Sequence, residues 1–521
     1  MNSLSQLTAA RIEPHEVEER FQELQRKLPA LWKEIGRHDP GGPIQEPNTL
    51  VIVPSLTVDF ELPITKQQAY EERFLFLLFL LRQPQIRIIY ITSQPIDPDI
   101  IDYYLDILPG VISSNARRRL SLVTPIDGSP RPLTTKLLER PRLIQHIRSL
   151  VPNLDKAHMV PFNTTDLERE LAIRLGIPMY APDPTYFAFG TKSGSRRIFA
   201  EEGVAYPLGA EDLFSVESVV KSIAEIRAQK PGVQKVIVKL NEGVGGMGNA
   251  IVDLSSVPGP GDSNEIAAVG ACLRNMQFEL EDVMYEDYME KVQEGGAIVE
   301  ELIVGQELHS PSAQLRATPL GEVEMLSTHD QMLGGPSGQM YLGARFPADS
   351  EYSWPIMREA LKIGNRLAGE GIVGRFAVDF VVVRDVDGNW DPYAIEVNLR
   401  KGGTTAPYLT LQYLTDGDYD AEAGVFRTAR GEEKCYVSSD HIESPAYRVF
   451  TTADLYDIVS RHRLHFDHTS QKGVVLHMMS GIGGFGLFGV TCIGNTRDEA
   501  DAIYKRINAV LDEEARLAIR T

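Results

Sequence analysis

Two stretches of the chain carry residues whose types and spacing suit phosphate chemistry, and the first is VKLNEGVGGMGNAIV, residues 238–252. It has glycines at positions 243, 245, 246 and 248, and Lys239 precedes them. Successive backbone N–H groups of such a turn can surround a phosphate without side-chain obstruction. Strand-like sequence follows the glycines, whereas a dinucleotide loop must open a helix. The stretch therefore predicts the tip of a hairpin over phosphates, with an unliganded flexible hairpin as the alternative.

The second stretch is GRFAVDFVVVRDVDGNWDPYAIEVNLRKGG, residues 374–403. It places Asp379 on one apolar strand and Glu396 and Asn398 on the next, across the DVDGNW turn. Residues two apart on a strand share a face. Two acids and an amide among apolar residues are costly to bury without a cation, and their oxygens suit Mg²⁺ bridged to phosphates. The pattern predicts a magnesium site, with an ordinary solvated polar face as the alternative.

Composition limits the partners of such a site. The chain has 521 residues, with 52 Lys and Arg against 72 Asp and Glu, for a net charge of −20. This charge repels polyanions, so we expect neither nucleic acid nor a membrane as partner. Three scattered cysteines, the lack of a secretory signal at the N-terminus and an apolar run of only eight residues favour a cytoplasmic protein. Small-molecule substrates are the expected partners, and a homodimer is left open.

The elements that must position these residues fall into three regions. Strand-like and helix-like segments alternate over the first 185 residues, which predicts a parallel α/β sheet. From about residue 187 to 440, longer strands joined by tight turns predict α+β structure with antiparallel sheets. The last segment reads as helix, strand, glycine-rich turn, strand and a closing helix, which is a small α+β unit.

The order of motifs resembles the ATP-grasp superfamily of carboxylate–amine ligases. A lysine eleven residues before Gly203, the strand lysine with its glycine loop, VEELIVGQELHS, and the Asp…Glu-x-Asn hairpin follow one another. Protein kinases instead place their lysine after the loop. The whole chain is most similar to the pheganomycin-type peptide ligases, on stretches that include STHDQMLGGPSGQMYLGARFPAD and IEVNLRKGGTTAPY.

This resemblance implies three domains. A pre-ATP-grasp α/β domain would cover residues 1–186 and the ATP-grasp domain residues 187–440. The latter would comprise a nucleotide lid at about 192–305 and a metal and substrate core at about 306–440. A C-terminal domain would cover residues 441–521.

The resemblance also implies site residues. ATP and Mg²⁺ would be bound by residues at the matching motif positions. The expected nucleotide contacts are Lys192, Lys239, Gly243, Gly245, Gly246, Gly248, Glu300, Glu301, Ile303 and Glu307. Among them, both lysines would contact phosphates, Glu300 the adenine amino group and Glu307 the ribose. The expected metal ligands are Asp379, Glu396 and Asn398.

The chemistry implied is ligation through an acyl phosphate, with an amino acid or peptide as amine. The candidate catalytic residues are Arg400, Arg345 and Arg375 for the acyl phosphate, with Arg400 preferred, and His329 and Asp330 for the amine's proton. The candidate substrate contacts are His309, Ser310, Gly402, Gly403 and Thr404. A kinase-like phosphotransferase and a non-catalytic ATP-binding protein are the alternatives.

Overall fold

The structure is a computed structural model that describes residues 14–35, 47–57, 64–243, 246, 248–279, 283–335 and 338–520. Gly245 of the predicted phosphate loop lies outside the described residues. No described helix is long and apolar enough to cross a bilayer.

The N-terminal region is built on a parallel sheet, as predicted. Its four strands are ordered β3-β2-β1-β4, and every adjacent pair runs parallel. The strands are β1 (Asn48–Val53), β2 (Ile86–Ile91), β3 (Leu120–Val123) and β4 (Ala157–Pro161). The helices are α1 (Pro14–Gln25), α2 (Leu28–Ile35), α3 (Ile64–Glu72), α4 (Pro98–Asp106), α5 (Ser113–Arg117), α6 (Leu133–Leu138), α7 (Pro141–Ser149) and α8 (Asp166–Leu175).

Two helical predictions in this region change in detail. The segment AYEERFLFLLFLLR, residues 69–82, predicts one buried helix, but it is divided between the end of α3 and a 3-10 helix over Leu75–Arg82, most of whose side chains are buried. A helix that is apolar all round must be buried, so the prediction of burial is confirmed. The segment TTKLLERPRLIQHIRSLV, residues 134–151, predicts a further helix, but it divides at Pro141, which begins α7, because proline fits the first turn of a helix but not its interior.

A second, five-stranded antiparallel sheet carries the glycine hairpin. Its order is β5-β9-β6-β7-β8. The strands are β5 (Gly209–Leu213), β6 (Lys235–Leu240), β7 (Asn249–Asp253), β8 (Gln277–Phe278) and β9 (Ala297–Glu301). The helices of this part are α9 (Lys192–Glu201), α10 (Val216–Gln229), α11 (Glu265–Arg274) and α12 (Tyr285–Gly295). One face of the sheet packs against α10, α11 and α12 in a separate apolar core. We call this part the lid.

A nine-stranded, antiparallel sheet forms the centre of the molecule. Its order is β10-β14-β11-β12-β13-β18-β20-β19, with β15 paired to β14. The strands are β10 (Leu308–His309), β11 (Pro311–Ala317), β12 (Val323–Gly334), β13 (Met340–Phe346), β14 (Gly374–Arg384), β15 (Trp390–Asn398), β18 (Cys435–Glu443), β19 (Gly473–His477) and β20 (Leu487–Gly494). A separate hairpin pairs β16 (Asp418–Asp420) with β17 (Val425–Arg427). The helices are α13 (Ser350–Gly369), α14 (Thr405–Thr415), α15 (Thr452–Arg461), α16 (Gly481–Phe485) and α17 (Arg497–Arg520).

The last two strands, β19 and β20, extend the central sheet through β18. The sheet is therefore continuous across the predicted boundary at residue 440, and that boundary stays a prediction.

Candidate active site

The three predicted metal ligands lie together on one face of the central sheet. Asp379 on β14 is the register partner of Glu396 on β15, and Asn398 Nδ2 donates to Asp379 Oδ2 at 2.9 Å. Gln331 of β12 donates to the other oxygen, Asp379 Oδ1, at 2.8 Å. Lys192 Nζ lies 3.3 Å from Glu396 Oε1. We call the face that carries Asp379 and Gln331 the site face.

The electrostatics of this group fit a cation. Burial, and then the neighbouring Glu396 carboxylate, raise the pKa of Asp379 to about 7, against the opposing charges of Arg400 and Lys192. A cation between the two carboxylates would relieve this cost. No group of three His, Cys, Asp or Glu side chains in the described ranges could hold a metal. Phosphate oxygens and the Asn398 amide would therefore complete the ligand set, and the amide must turn its oxygen toward the ion.

The glycine turn lies over this group. It joins β6 to β7, so the hairpin prediction is confirmed. A Cβ on Gly243 would lie 3.5 Å from Lys192 Nζ, and one on Gly248 would lie 3.3 Å from the Leu240 side chain. Gly246 has φ of +87°, and a Cβ there would lie 2.5 Å from the carbonyl oxygen of Gln339. The lid hairpin thus contacts the β12–β13 connection of the central sheet.

The buried Lys239 is held by Glu300, not by the glycine turn. Lys239 Nζ lies 2.6 Å from Glu300 Oε2, and Arg196 of α9 donates to Glu300 Oε1 at 2.9 Å. Glu300 is 1% exposed. Because Lys239 and Glu300 are directly paired, a phosphate contact by Lys239 and an adenine contact by Glu300 would have to lie close together. Of the two lysines, Lys192 is the one placed between the glycine turn and Glu396.

The other residues of the nucleotide motif differ in orientation. Glu301 is on the opposite face of β9 from Glu300, toward the lid helices, and its carboxylate accepts from the Leu208 N–H and pairs with Lys230. This alternation removes the Glu301 side chain from the nucleotide candidates. Ile303 is half-buried, and Glu307 is exposed and accepts from Arg384 at 3.0 Å. Both residues lie in the segment 302–307, which joins β9 of the lid sheet to β10 of the central sheet.

The three candidate arginines differ in their contacts and in their position relative to Asp379. Arg400 lies two residues after the end of β15, its charge lowers the pKa of Asp379, and it forms no hydrogen bond or ion pair within the described part of the chain. Arg375 is four residues before Asp379, beside Arg316 and three tyrosines, and burial lowers its pKa. Arg345 is on the face opposite Asp379 and bonds Asp501 at 3.1 Å. Of the three, only Arg400 therefore remains a candidate for the acyl phosphate.

The structure contradicts both candidates for accepting the amine's proton, Asp330 and His329, and one candidate for contacting the acceptor, His309. Asp330 accepts from Tyr352 of α13 at 2.7 Å, and the His309 ring stacks on the same tyrosine, so both lie on the face opposite the site face. Because strand neighbours alternate, Gln331 and not Asp330 reaches the site. His329 is on the site face but is 0% exposed and bonds the Tyr436 hydroxyl at 2.7 Å. Burial lowers its pKa to about 3, which makes it a packed core residue.

The turn after β15 stays at the site. A Cβ on Gly403 would lie 2.7 Å from the ring of Tyr341, which packs against this turn. Gly402 and Thr404 lead into α14, and Thr404 is its N-cap without a side-chain cap bond. Ser310 lies at the strand edge, where its carbonyl accepts from the Gln331 N–H at 3.1 Å.

Two residues at the site were not among the sequence candidates. Gln331 could have been found from strand alternation, because it shares a face with His329. Arg196 could have been found from its spacing, since it lies four residues after Lys192 and one turn along the same helix. Nothing local in the sequence indicates a contact between Arg196 and Glu300, which are 104 positions apart.

Comparison with known proteins identifies the fold and the family. A family model described as "IQCH-like, ATP-grasp" matches residues 185–261 and 263–422, and one described as "PGM1 C-terminal domain" matches residues 454–507. Two solved structures share the fold, an N5-carboxyaminoimidazole ribonucleotide synthetase in its ADP complex and the biotin carboxylase domain of Hydrogenobacter thermophilus 2-oxoglutarate carboxylase. The first has a TM-score of 0.51 at 10% identity, covering 90% of this chain and 98% of its own. The second has a TM-score of 0.52 at 13% identity, covering 86% of each chain.

The curated relatives place the chain more narrowly. An L-propargylglycine–L-glutamate ligase of Streptantibioticus cattleyicolor is 30% identical over 461 residues, which is 87% of this chain and 90% of that protein. The IQ motif-containing protein H of Danio rerio is 24% identical over 77% of this chain and 41% of its own length. The chain therefore belongs to the ATP-grasp family of ligases. The resemblance to the pheganomycin-type ligases is confirmed.

Proposed function

We propose that this enzyme joins a carboxylate to the amine of an amino acid or peptide, with ATP converted to ADP and phosphate. The observation that carries the proposal is the convergence of Asp379, Glu396 and Asn398 beneath a glycine hairpin, with Lys192 between them. The ligase relative, which spans nearly the whole chain, supports the same reaction class.

The first step is phosphoryl transfer. A substrate carboxylate oxygen attacks the γ-phosphorus of ATP, the bond to the β-γ bridging oxygen breaks, and ADP leaves with that electron pair. Such a transfer needs positioning and charge neutralisation more than covalent help. Lys192 and the glycine turn support the phosphates, and Arg400 neutralises the charge of the acyl phosphate. Mg²⁺ held by Asp379, Glu396 and Asn398 would add charge neutralisation at the phosphate oxygens.

The second step forms the amide. The amine attacks the acyl carbon, the bond from that carbon to the phosphate oxygen breaks, and phosphate leaves with the electron pair. The protonated nitrogen gives its proton to the departing phosphate or to solvent. The lid hairpin, whose Gly246 lies against Gln339 of the β12–β13 connection, would exclude water from an intermediate that hydrolyses readily.

At the other end of the nucleotide, we assign the Lys239–Glu300–Arg196 group to the adenine. Ile303 would line the base and Glu307 would reach the ribose. The cytoplasm remains the proposed compartment, in keeping with three free cysteines in the described chain. A homodimer stays a prediction.

ADP and phosphate release with Mg·ATP tests the reaction. A panel of carboxylates is assayed with and without amino acids and short peptides, the products are weighed by mass spectrometry, and Glu396→Ala is the blank. Amine-dependent ADP release with a matching amide mass is expected. A stable phosphorylated product would instead identify a phosphotransferase, and tight ATP binding with no turnover on any mixture would contradict the ligase.

A further inference from the structure

A polar group lies farther along the site face, where the N-terminal region meets the central sheet. Arg73 follows α3 and pairs with Asp440 of β18, whose other oxygen bonds His477 Nε2 of β19 at 2.8 Å. The three side chains are 11%, 6% and 9% exposed. The Arg73 guanidinium also lies 4.7 Å over the ring of Tyr70. Three separate parts of the chain thus build one charged group that the proposed chemistry does not use.

Tyr341 connects this group to the reaction site. It is the register partner of Leu333, two residues along β12 from Gln331, so its side chain is on the site face. Its ring packs against Gly403 of the turn after β15. The charges of Asp440, Arg73 and Asp379 all affect the pKa of its hydroxyl, which burial raises. The hydroxyl is therefore within electrostatic reach of both the metal ligands and Arg73.

Both Arg73 and Tyr341 have unused hydrogen-bond donors. Arg73 Nε is buried without a partner, although its NH2 group bonds Asp440. The Tyr341 hydroxyl bonds no other described residue. A guanidinium that is fixed by a carboxylate and has a donor left over is suited to a planar anion. Asp440 keeps the group close to neutral, which suits the single charge of a carboxylate better than a phosphate dianion.

We propose that Arg73 and Tyr341 bind a substrate carboxylate that is not phosphorylated in the reaction, so that the N-terminal region helps to select the substrate. This inference rests on the proposed ligase function, in which the substrates include amino acids. The carboxylate has two sources, a second carboxylate of the acid or the α-carboxylate of the amine. Asp440 and His477 act as positioning residues, and the His477 ring lies against Gly489, where a Cβ would be 2.1 Å from Nε2.

Equilibrium binding tests the proposal without requiring turnover. Calorimetry in the presence of Mg²⁺ and a non-hydrolysable ATP analogue measures the affinity for five compounds. They are L-glutamate, its γ-carboxamide L-glutamine, its α-carboxamide L-isoglutamine, L-alanine and L-alaninamide. The protein is the full chain as wild type, Arg73→Met, Tyr341→Phe and Arg82→Met. Arg82 is the matched control, because it also links the N-terminal region to the central part through an ion pair, with Asp416.

Arg73→Met is expected to weaken binding of the preferred acid about 10- to 100-fold, the range for a lost charge-assisted hydrogen bond. The carboxamide that lacks the recognised group should bind wild type and Arg73→Met equally weakly. Tyr341→Phe should have a smaller effect in the same direction, and Arg82→Met should match wild type. The carboxamide whose weakened binding is the same in wild type and Arg73→Met identifies the source of the carboxylate.

Three results would overturn the proposal. The first is equal affinity of wild type and Arg73→Met for the acid. The second is an equal loss of affinity for the acid and its carboxamide in Arg73→Met, which would indicate a structural role. The third is that wild type binds none of the five compounds. Carboxylate-dependent binding without amide formation would contradict the proposed ligase while leaving this site in place.

Discussion

Glutamates 300 and 301 are neighbours on β9 with opposite environments, and replacing each with glutamine tests the nucleotide end of the site. Both oxygens of Glu300 bond buried cations, and the Lys239 and Arg196 side chains are 7% and 2% exposed. Glu300→Gln would leave the Lys239 ammonium buried without a counter-charge. Breaking one partner of a buried ion pair costs about 3–5 kcal/mol. We expect a loss of unfolding free energy in that range.

Glu301→Gln is the matched control. Glu301 pairs with Lys230, whose side chain is 58% exposed, and solvent screens such a pair. An exposed ion pair contributes about 0–1 kcal/mol, and glutamine can still accept from the Leu208 N–H. The expected loss of unfolding free energy is therefore small.

Urea unfolding followed by circular dichroism measures the two losses, and calorimetry with ATP measures the site. Glu300→Gln should weaken ATP binding by at least about tenfold, or about 1.4 kcal/mol, and Glu301→Gln should leave it unchanged. Equal losses for the two variants, or a larger loss for Glu301→Gln, would refute the assignment of faces on β9.

Three further predictions concern other parts of the structure. Gly403→Ala should cost about 1–3 kcal/mol of unfolding free energy, because its Cβ would lie 2.7 Å from the Tyr341 ring. A Cβ on Gly402 would have nothing within 4 Å, so Gly402→Ala should cost less than about 0.5 kcal/mol. Equal losses in urea unfolding would contradict this packing. Burial raises the pKa of Glu72 from 4.5 to about 7, so the folded state binds more protons between these values. Wild type should lose about 2–3 kcal/mol from this group as pH rises from 5 to 7, and Glu72→Gln should lose less over the same range in urea unfolding; parallel pH profiles would contradict it. Lys192→Met should weaken binding of ATP more than binding of adenosine, as measured by calorimetry, because this lysine lies between the glycine turn and Glu396; an equal loss for both ligands would show that it does not serve the phosphates.

The sequence was sufficient to predict the parallel N-terminal sheet, the glycine hairpin and the carboxylate group. These depend on local signals: strand-helix alternation, a turn between two strand patterns, and two-residue spacing on β15. Asp379 and Glu396 are register partners because the DVDGNW turn joins their strands directly. Local pairing of this kind can be inferred from the order of residues.

The errors arise where side-chain direction depends on distant strands. Residues 329–331 all lie in one polar stretch, but strand alternation places only His329 and Gln331 on the site face. His329 is bonded to the Tyr436 hydroxyl in the core and is therefore not available to react. Residue type alone makes Arg345 a candidate, but the side chain bonds Asp501, which is on a helix 156 positions away. The pairing of Arg73 with Asp440 spans 367 positions, and no periodicity in the sequence could indicate it.

Transfer of an oxygen isotope tests the central claim most directly. The acid substrate is labelled with ¹⁸O in its reacting carboxylate, and the inorganic phosphate released during amide formation is weighed. An acyl-phosphate route transfers one carboxylate oxygen to phosphate, so the account predicts phosphate carrying one ¹⁸O, formed together with ADP. Unlabelled phosphate, or label recovered in AMP, would contradict it.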